Sequence, residues 1–88
     1  MTMYVDALFR TVPSKRWPYT QACHLTCSGD VTELHAFAHQ LGLQRVWFQN
    51  HHRNPLLWHY DLTANKRLHA LRLGAIAITR QPRAQQAK

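Results

Sequence analysis

The run Trp58-His59-Tyr60-Asp61-Leu62-Thr63-Ala64-Asn65-Lys66-Arg67 concentrates the chain's reactive side-chain types in one stretch. It holds two aromatics, an imidazole, a carboxylate, a helix-start signal and two cations. Proton transfer, metal ligation and phosphate binding all draw on such groups. The chain has only four acidic residues. Asp30 and Glu33 read as the capping residue and first-turn acid of a helix, which leaves Asp6 and Asp61. Asp6 lies in or at the end of an apolar stretch, where a carboxylate needs a partner or a site; capping a turn in the next loop is the plainer reading. Asp61 stands two residues from His59. In an extended segment both side chains fall on one side, with Trp58 and Tyr60 on the other. Such a pair can orient an imidazole for acid–base work or supply two metal ligands. A hydrogen-bonded surface pair has the same spacing, so spacing does not separate these readings.

Thr63 reads as the N-cap of a helix whose first turn carries Asn65, Lys66 and Arg67. Free N–H groups there attract anions, and cations in a first turn oppose the helix dipole. A bound anion would explain their presence. On a helical wheel the apolar face is Ala64, Leu68 and Leu71, with Leu73 beyond. Arg67 then flanks that face, and Lys66 points away to solvent. The seven histidines are not equivalent. His24 projects from a strand. His35 and His39 are one turn apart on a helix, but without the Glu of the metalloprotease signature. His51 and His52 read as solvated loop residues, and His69 as outward-facing. Cys23 and Cys27 read as small buried hydrophobes on one strand face. The sequence therefore names no metal-ligand set and no cofactor. Trp17, Trp47, Phe48, Trp58 and Tyr60 could stack on bases, although packing is the commoner use of aromatics in a small core.

The elements that must position these groups follow from periodicity. Tyr4 to Phe9 reads as a strand. Arg10 to Thr20, with two prolines, reads as a loop, and Ala22 to Thr26 as a second strand. Asp30 and Glu33 begin a helix in which Val31, Leu34, Phe37, Ala38 and Leu41 recur on one face, and Gly42 ends it. Arg45 to Gln49 is β-prone and reads as a third strand. A polar loop follows, with Leu56 and Leu57 read as its continuation, then the second helix, ended by Gly74. The run from Ala75 to Thr79 has the apolar character of a central buried strand. The expected fold is a small single-domain α/β structure, a mixed sheet of about four strands with two helices in the order ββαβαβ. An antiparallel sheet with both helices on one face also fits the periodicity. Residues 1–80 form the domain, and residues 81–88 are expected to be a disordered basic tail.

Bulk properties narrow the class. At 88 residues one domain is the natural reading, with a modest core burying roughly 60–65% of the unfolded chain's surface. A hydrophobic fraction of 45% is that of a globular protein. No apolar run is long enough for a transmembrane helix, and the start lacks the pattern of a signal peptide, so a cytoplasmic location is expected. A net charge of +7 favours polyanionic partners, either nucleic acid, a nucleotide or an acidic protein.

Seven short stretches together resemble a family of bacterial and phage proteins of unknown function, the DUF4031 family. They are Met3-Tyr4-Val5-Asp6, Cys23-His24-Leu25, Glu33-Leu34-His35-Ala36-Phe37-Ala38, Trp47-Phe48-Gln49, His59-Tyr60-Asp61, Lys66-Arg67 and Gly74-Ala75. The resemblance runs in order from about Met3 to Thr79. Two positions depart from it: a second acid that often follows the first strand is Ala7, and a serine that commonly precedes Lys-Arg is Asn65. The resemblance brings no activity. It implies that His24, His35, Gln49, His59, Asp61, Lys66 and Arg67 form one constellation. The leading expectation is a phosphate-bearing ligand, nucleic acid or nucleotide, held by Arg67, Lys66 and Asn65. His59, Asp61, His24 and His35 would supply phosphoester chemistry, with Asp6 and Gln49 as further candidates. Docking of an acidic protein is the alternative, and a metal-dependent hydrolase ranks last because carboxylates are scarce.

Overall fold

The computed structural model describes residues 2–51, 53–54 and 58–78. The tail, His52, Leu56 and Leu57 lie outside the described residues. Among the described residues five strands and two helices form a mixed α/β fold: β1 (Met3–Val5), β2 (Phe9–Arg10), β3 (Gln21–Cys27), α1 (Val31–Gln40), β4 (Tyr60–Leu62), α2 (Ala64–Arg72) and β5 (Ile76–Ala77). β3 is the organising strand. β1 and β4 run antiparallel along its two edges, with Leu25 opposite both Val5 and Tyr60. β5 adds parallel to β1, with Tyr4 opposite Ile76.

Register alternation assigns the faces. Val5, Cys23, Leu25, Tyr60 and Leu62 share one face and pack into a single core with Leu34, Ala38 and Leu41 from the first helix and Ala70 from the second. Both helices therefore cover the same side of the sheet. His24 and Asp61, directly opposite each other across β3 and β4, belong to the other face.

The first expected strand is interrupted. Val5 pairs with Leu25 and Phe9 with Ala22, so four steps along the first segment match only three along β3. That extra residue is a β-bulge, a device that bends a strand and re-aims its side chains. It divides the expected strand into β1 and β2 and sets Asp6 at the break.

Three further expectations are corrected. Arg45–Trp47 is a 3-10 turn, not a strand. Val46 and Trp47 are exposed there, so β propensity is overridden where a side chain has no sheet to pack on. Only Gln49 joins the sheet, through two backbone hydrogen bonds with His59 of 2.9 and 3.1 Å. The strand beside β3 is instead Tyr60–Leu62. The expected central strand Ala75 to Thr79, whose last residue lies outside the described ones, is a two-residue strand at the edge of the described sheet, with Ile76 half exposed. The buried face of α2 is also not the one its leucines suggest. Leu68 and Leu73 are exposed and Ala70 is fully buried. Leu71 packs against the core as expected; beside it the inward stripe holds Lys66, Arg67 and Ala70, because a small residue lets the helix sit close and the aliphatic stems of the two cations can cover apolar surface. Among the described residues no helix is long and apolar enough to cross a membrane.

The helix ends follow expectation. Asp30 caps α1 by accepting from the Thr32 N–H at 3.0 Å, and Thr63 caps α2 by accepting from the Lys66 N–H at 3.2 Å. Gly42 and Gly74 close the helices with φ of 80° and 108°, values an L side chain adopts at a cost of about 1–2 kcal/mol. A methyl at position 74 meets nothing within 4 Å, whereas one at position 42 lies 3.3 Å from the Lys66 Nζ. Urea denaturation should therefore show Gly74→Ala destabilised by backbone strain alone, about 1–2 kcal/mol, and Gly42→Ala by at least as much.

Candidate functional site: a His–Asp cluster on the open face of the sheet

Asp6 sits at the bulge, where its carboxylate reaches back to the strand it left. Oδ1 accepts the backbone N–H of His24 at 2.6 Å, and Oδ2 lies 2.9 Å from the Nδ1 of the same residue. The carboxylate thus holds both the main chain and the ring of His24. An ionised acceptor at Nδ1 selects the tautomer with hydrogen on that nitrogen and leaves Nε2 as the outward-facing atom. Phe9, brought by β2, stacks on the ring with centroids 5.0 Å apart. His59 meets it edge-on at 4.7 Å.

Asp61 completes the group. Its Oδ1 is 3.4 Å from the His59 Nε2 and 3.9 Å from the His24 Nε2, and its Oδ2 accepts from the Gln49 amide at 2.6 Å. The Gln49–His59 bridge places Gln49 beside this carboxylate. Burial alone would raise the Asp61 pKa; the neighbouring His59 and His24 imidazoles and the Gln49 amide outweigh it and hold the carboxyl below its ordinary 3.8. Asp61 is therefore an anion at neutral pH. The cluster is shallow: the His24, His59 and Asp61 side chains are 19%, 8% and 28% exposed, enough for small molecules to reach it.

His35 is elsewhere. Its Nδ1 lies 2.8 Å from the Tyr60 hydroxyl and its ring packs edge-on against Phe48, on the helix-covered face of β4. Burial, helped by Arg45, lowers its proton affinity; burial also raises the Tyr60 pKa, against an opposing effect of Arg45. The pair is thus an uncharged hydrogen bond inside the packing. The cysteines offer no nucleophile at Cys23, where burial first and Asp6 second push the thiol up to about 12.

Both cations of α2 turn inward. Lys66 is not solvated on the far side of its helix: its Nζ donates to the carbonyl of Leu41, at the C-terminal end of α1, where positive charge is favoured. Arg67 donates from Nε to the backbone carbonyl of Asp6 at 2.9 Å, a bond that fixes the bulge. Lys66, not Arg67, contributes to an open cleft beside the cluster. Arg16, Trp17, Tyr19, Trp47 and Phe48 also line that cleft, and its wall includes Gln49 and Asp61. Asn65 lines an adjoining groove that shares Lys66, Thr63 and Tyr19. Asp6 and Gln49, the two secondary candidates, prove to be direct partners of the cluster. Sequence spacing could not reveal the cluster's third member, because His24 and His59 are joined only by strand pairing.

Because its midpoint is depressed, Asp61 contributes stability that is present above the unfolded-state value and is lost as pH falls through the lower folded-state value. Carbon-detected NMR titration should place its midpoint below 3.8. The midpoint should rise in Gln49→Ala and in His59→Ala; an unchanged midpoint in both would contradict the geometry described.

No curated protein and no solved structure matches the chain. A family model described as a protein of unknown function, DUF4031, matches residues 3–88. The chain therefore belongs to the DUF4031 family.

Proposed function

We propose that this domain binds a phosphate-bearing ligand, single-stranded nucleic acid or a nucleotide, in the cleft beside the cluster, and acts on its phosphoester there. The observation that carries this reading is the continuity of the cleft with the cluster. Asp61 belongs to both. The cleft supplies the two things a nucleotide needs. Arg16 and Lys66 offer positive charge to a phosphate. Trp17, Tyr19 and Trp47 offer rings for base stacking, which is tolerant of sequence and worth about 1–3 kcal/mol per base. Trp47 and Tyr19 are each 49% exposed, a costly placement for large aromatics whose only task is packing. Trp17 is held by its indole N–H, which donates to the Gln21 carbonyl at 3.1 Å.

The anion-holding role moves from Arg67 to Lys66 and Arg16 in this reading, because these two line the cleft and Arg67 does not. His24, His59 and Asp61 form the reactive centre, and His35 has no part in it. The charge of +7 assists encounter with a polyanion. A cytoplasmic setting, where nucleotides and nucleic acid are abundant, suits the function.

Tryptophan fluorescence titration with a short oligothymidylate tests the proposal. Binding is expected to weaken steeply with salt, to fall about tenfold or more in Trp47→Ala and in Arg16→Ala, and to survive in His59→Ala. Cleavage of a phosphodiester substrate should be lost in His59→Ala. No salt-dependent binding, with capture of an acidic protein in its place, would favour the docking alternative and end this one.

A further inference from the structure

We infer that His24, His59 and Asp61 bind a divalent first-row transition metal, with zinc the best match, and that Asp6 is the outer carboxylate that orients the first ligand. This stands on the cluster's geometry and does not depend on the nucleotide reading.

The separations carry the argument. One ligand atom from each of the three residues lies within 4.8 Å of the other two, the single such group among the described residues. The Asp61 oxygen is 3.4 Å from one imidazole Nε2 and 3.9 Å from the other. Both are long for direct hydrogen bonds, which centre near about 2.9 Å. They suit atoms that share an ion. Two ligands each bonded at about 2.0–2.1 Å to a tetrahedral centre stand roughly 3.3 Å apart. The three ligand atoms, within 4.8 Å of one another, would draw closer around a bound ion.

The chemistry agrees. Two imidazole nitrogens and one carboxylate form the borderline-hard donor set that selects zinc, iron, cobalt or nickel over magnesium or calcium. Three protein ligands leave a fourth position for water, as in catalytic rather than structural sites. The Asp6 contact to Nδ1 is the carboxylate–histidine–metal arrangement, in which an outer acceptor fixes the tautomer and makes the ligating nitrogen more basic. The Asp6 and Asp61 carboxylates face the two imidazoles at close range, and a dication between them would be electrostatically favourable. The expectation of no metal ligands rested on spacing along the chain. His24 and His59 meet only because β3 and β4 pair.

The experiment uses untagged protein freed of metal by chelation and titrated calorimetrically with zinc and, separately, cobalt. One ion per chain is expected, with a cobalt absorption spectrum of low coordination number. His59→Ala and Asp61→Asn should each lose the ion or weaken its binding at least tenfold. Asp6→Asn should weaken it about 10–100-fold, the usual effect of losing an outer partner. His39→Ala and His51→Ala should leave it unchanged. Circular dichroism of Asp61→Asn, an isosteric change, separates lost ligation from lost fold; if that variant is unfolded, folded His59→Ala carries the test. An affinity unchanged in Asp61→Asn and His59→Ala, or no binding by the folded parent protein, would overturn the proposal. Neither result bears on oligothymidylate binding, which is measured without metal.

Discussion

The Asp6 carboxylate holding His24 by both its backbone N–H and its ring is the interaction on which the site depends. It forms where the pairing of β1 with β3 gives way to a bulge. Asp6 stands opposite His24 in register, and at the bulge its carboxylate, in place of its carbonyl, takes the His24 N–H. Arg67 braces the same point from the helix side through the Asp6 carbonyl. The charged residue that opposes the helix dipole thus acts on the architecture under the site. A buried carboxylate with well-placed donors is tolerable where an isolated one is not, and here the donors belong to the residue that the carboxylate must aim.

From that anchor the rest follows by strand pairing. β3 presents His24 opposite Asp61 on β4, and the bridge between Gln49 and His59 brings the second imidazole and the amide that steadies the carboxylate. Both helices lie on the opposite face and contribute packing. The sheet thus separates two tasks. One face buries Leu25, Tyr60 and Leu62. The other is left open enough to hold polar groups that a core would not accept. His35 and His24, similar in sequence terms, differ because they belong to different faces: one ends in an uncharged hydrogen bond to Tyr60, the other in an ionic cluster.

Much of this was legible in the sequence where local physics decides. Asp30 and Thr63 as caps, Gly42 and Gly74 as helix ends, the alternation along β3, and the shared side of His59 and Asp61 all depend on near neighbours. The sequence was silent or misleading where distant contacts decide. The β-prone run at Val46 and Trp47 has no strand to pair with and becomes a turn. Of the α2 leucines only Leu71 packs on the core, while Leu68 and Leu73 are exposed; Ala70 permits closer packing, which turns Lys66 and Arg67 inward. The partnership of Asp6 with His24 requires the register of β1 against β3, which no composition signal announces. The family likeness groups His24, His35, Gln49, His59, Asp61, Lys66 and Arg67; the pairing of β3 with β4 brings His24, Gln49, His59 and Asp61 together, whereas His35 lies on the helix-covered face and Lys66 and Arg67 donate to backbone carbonyls.

The central claim is that Asp6 sets His24 so that its Nε2 faces Asp61 and His59. Long-range nitrogen–proton NMR of the imidazoles, recorded above the imidazole titration range, reads this directly. The account requires the His24 proton on Nδ1 and the lone pair on Nε2, with that preference lost in Asp6→Asn. A His24 ring protonated at Nε2, or a tautomer indifferent to Asp6, would contradict it.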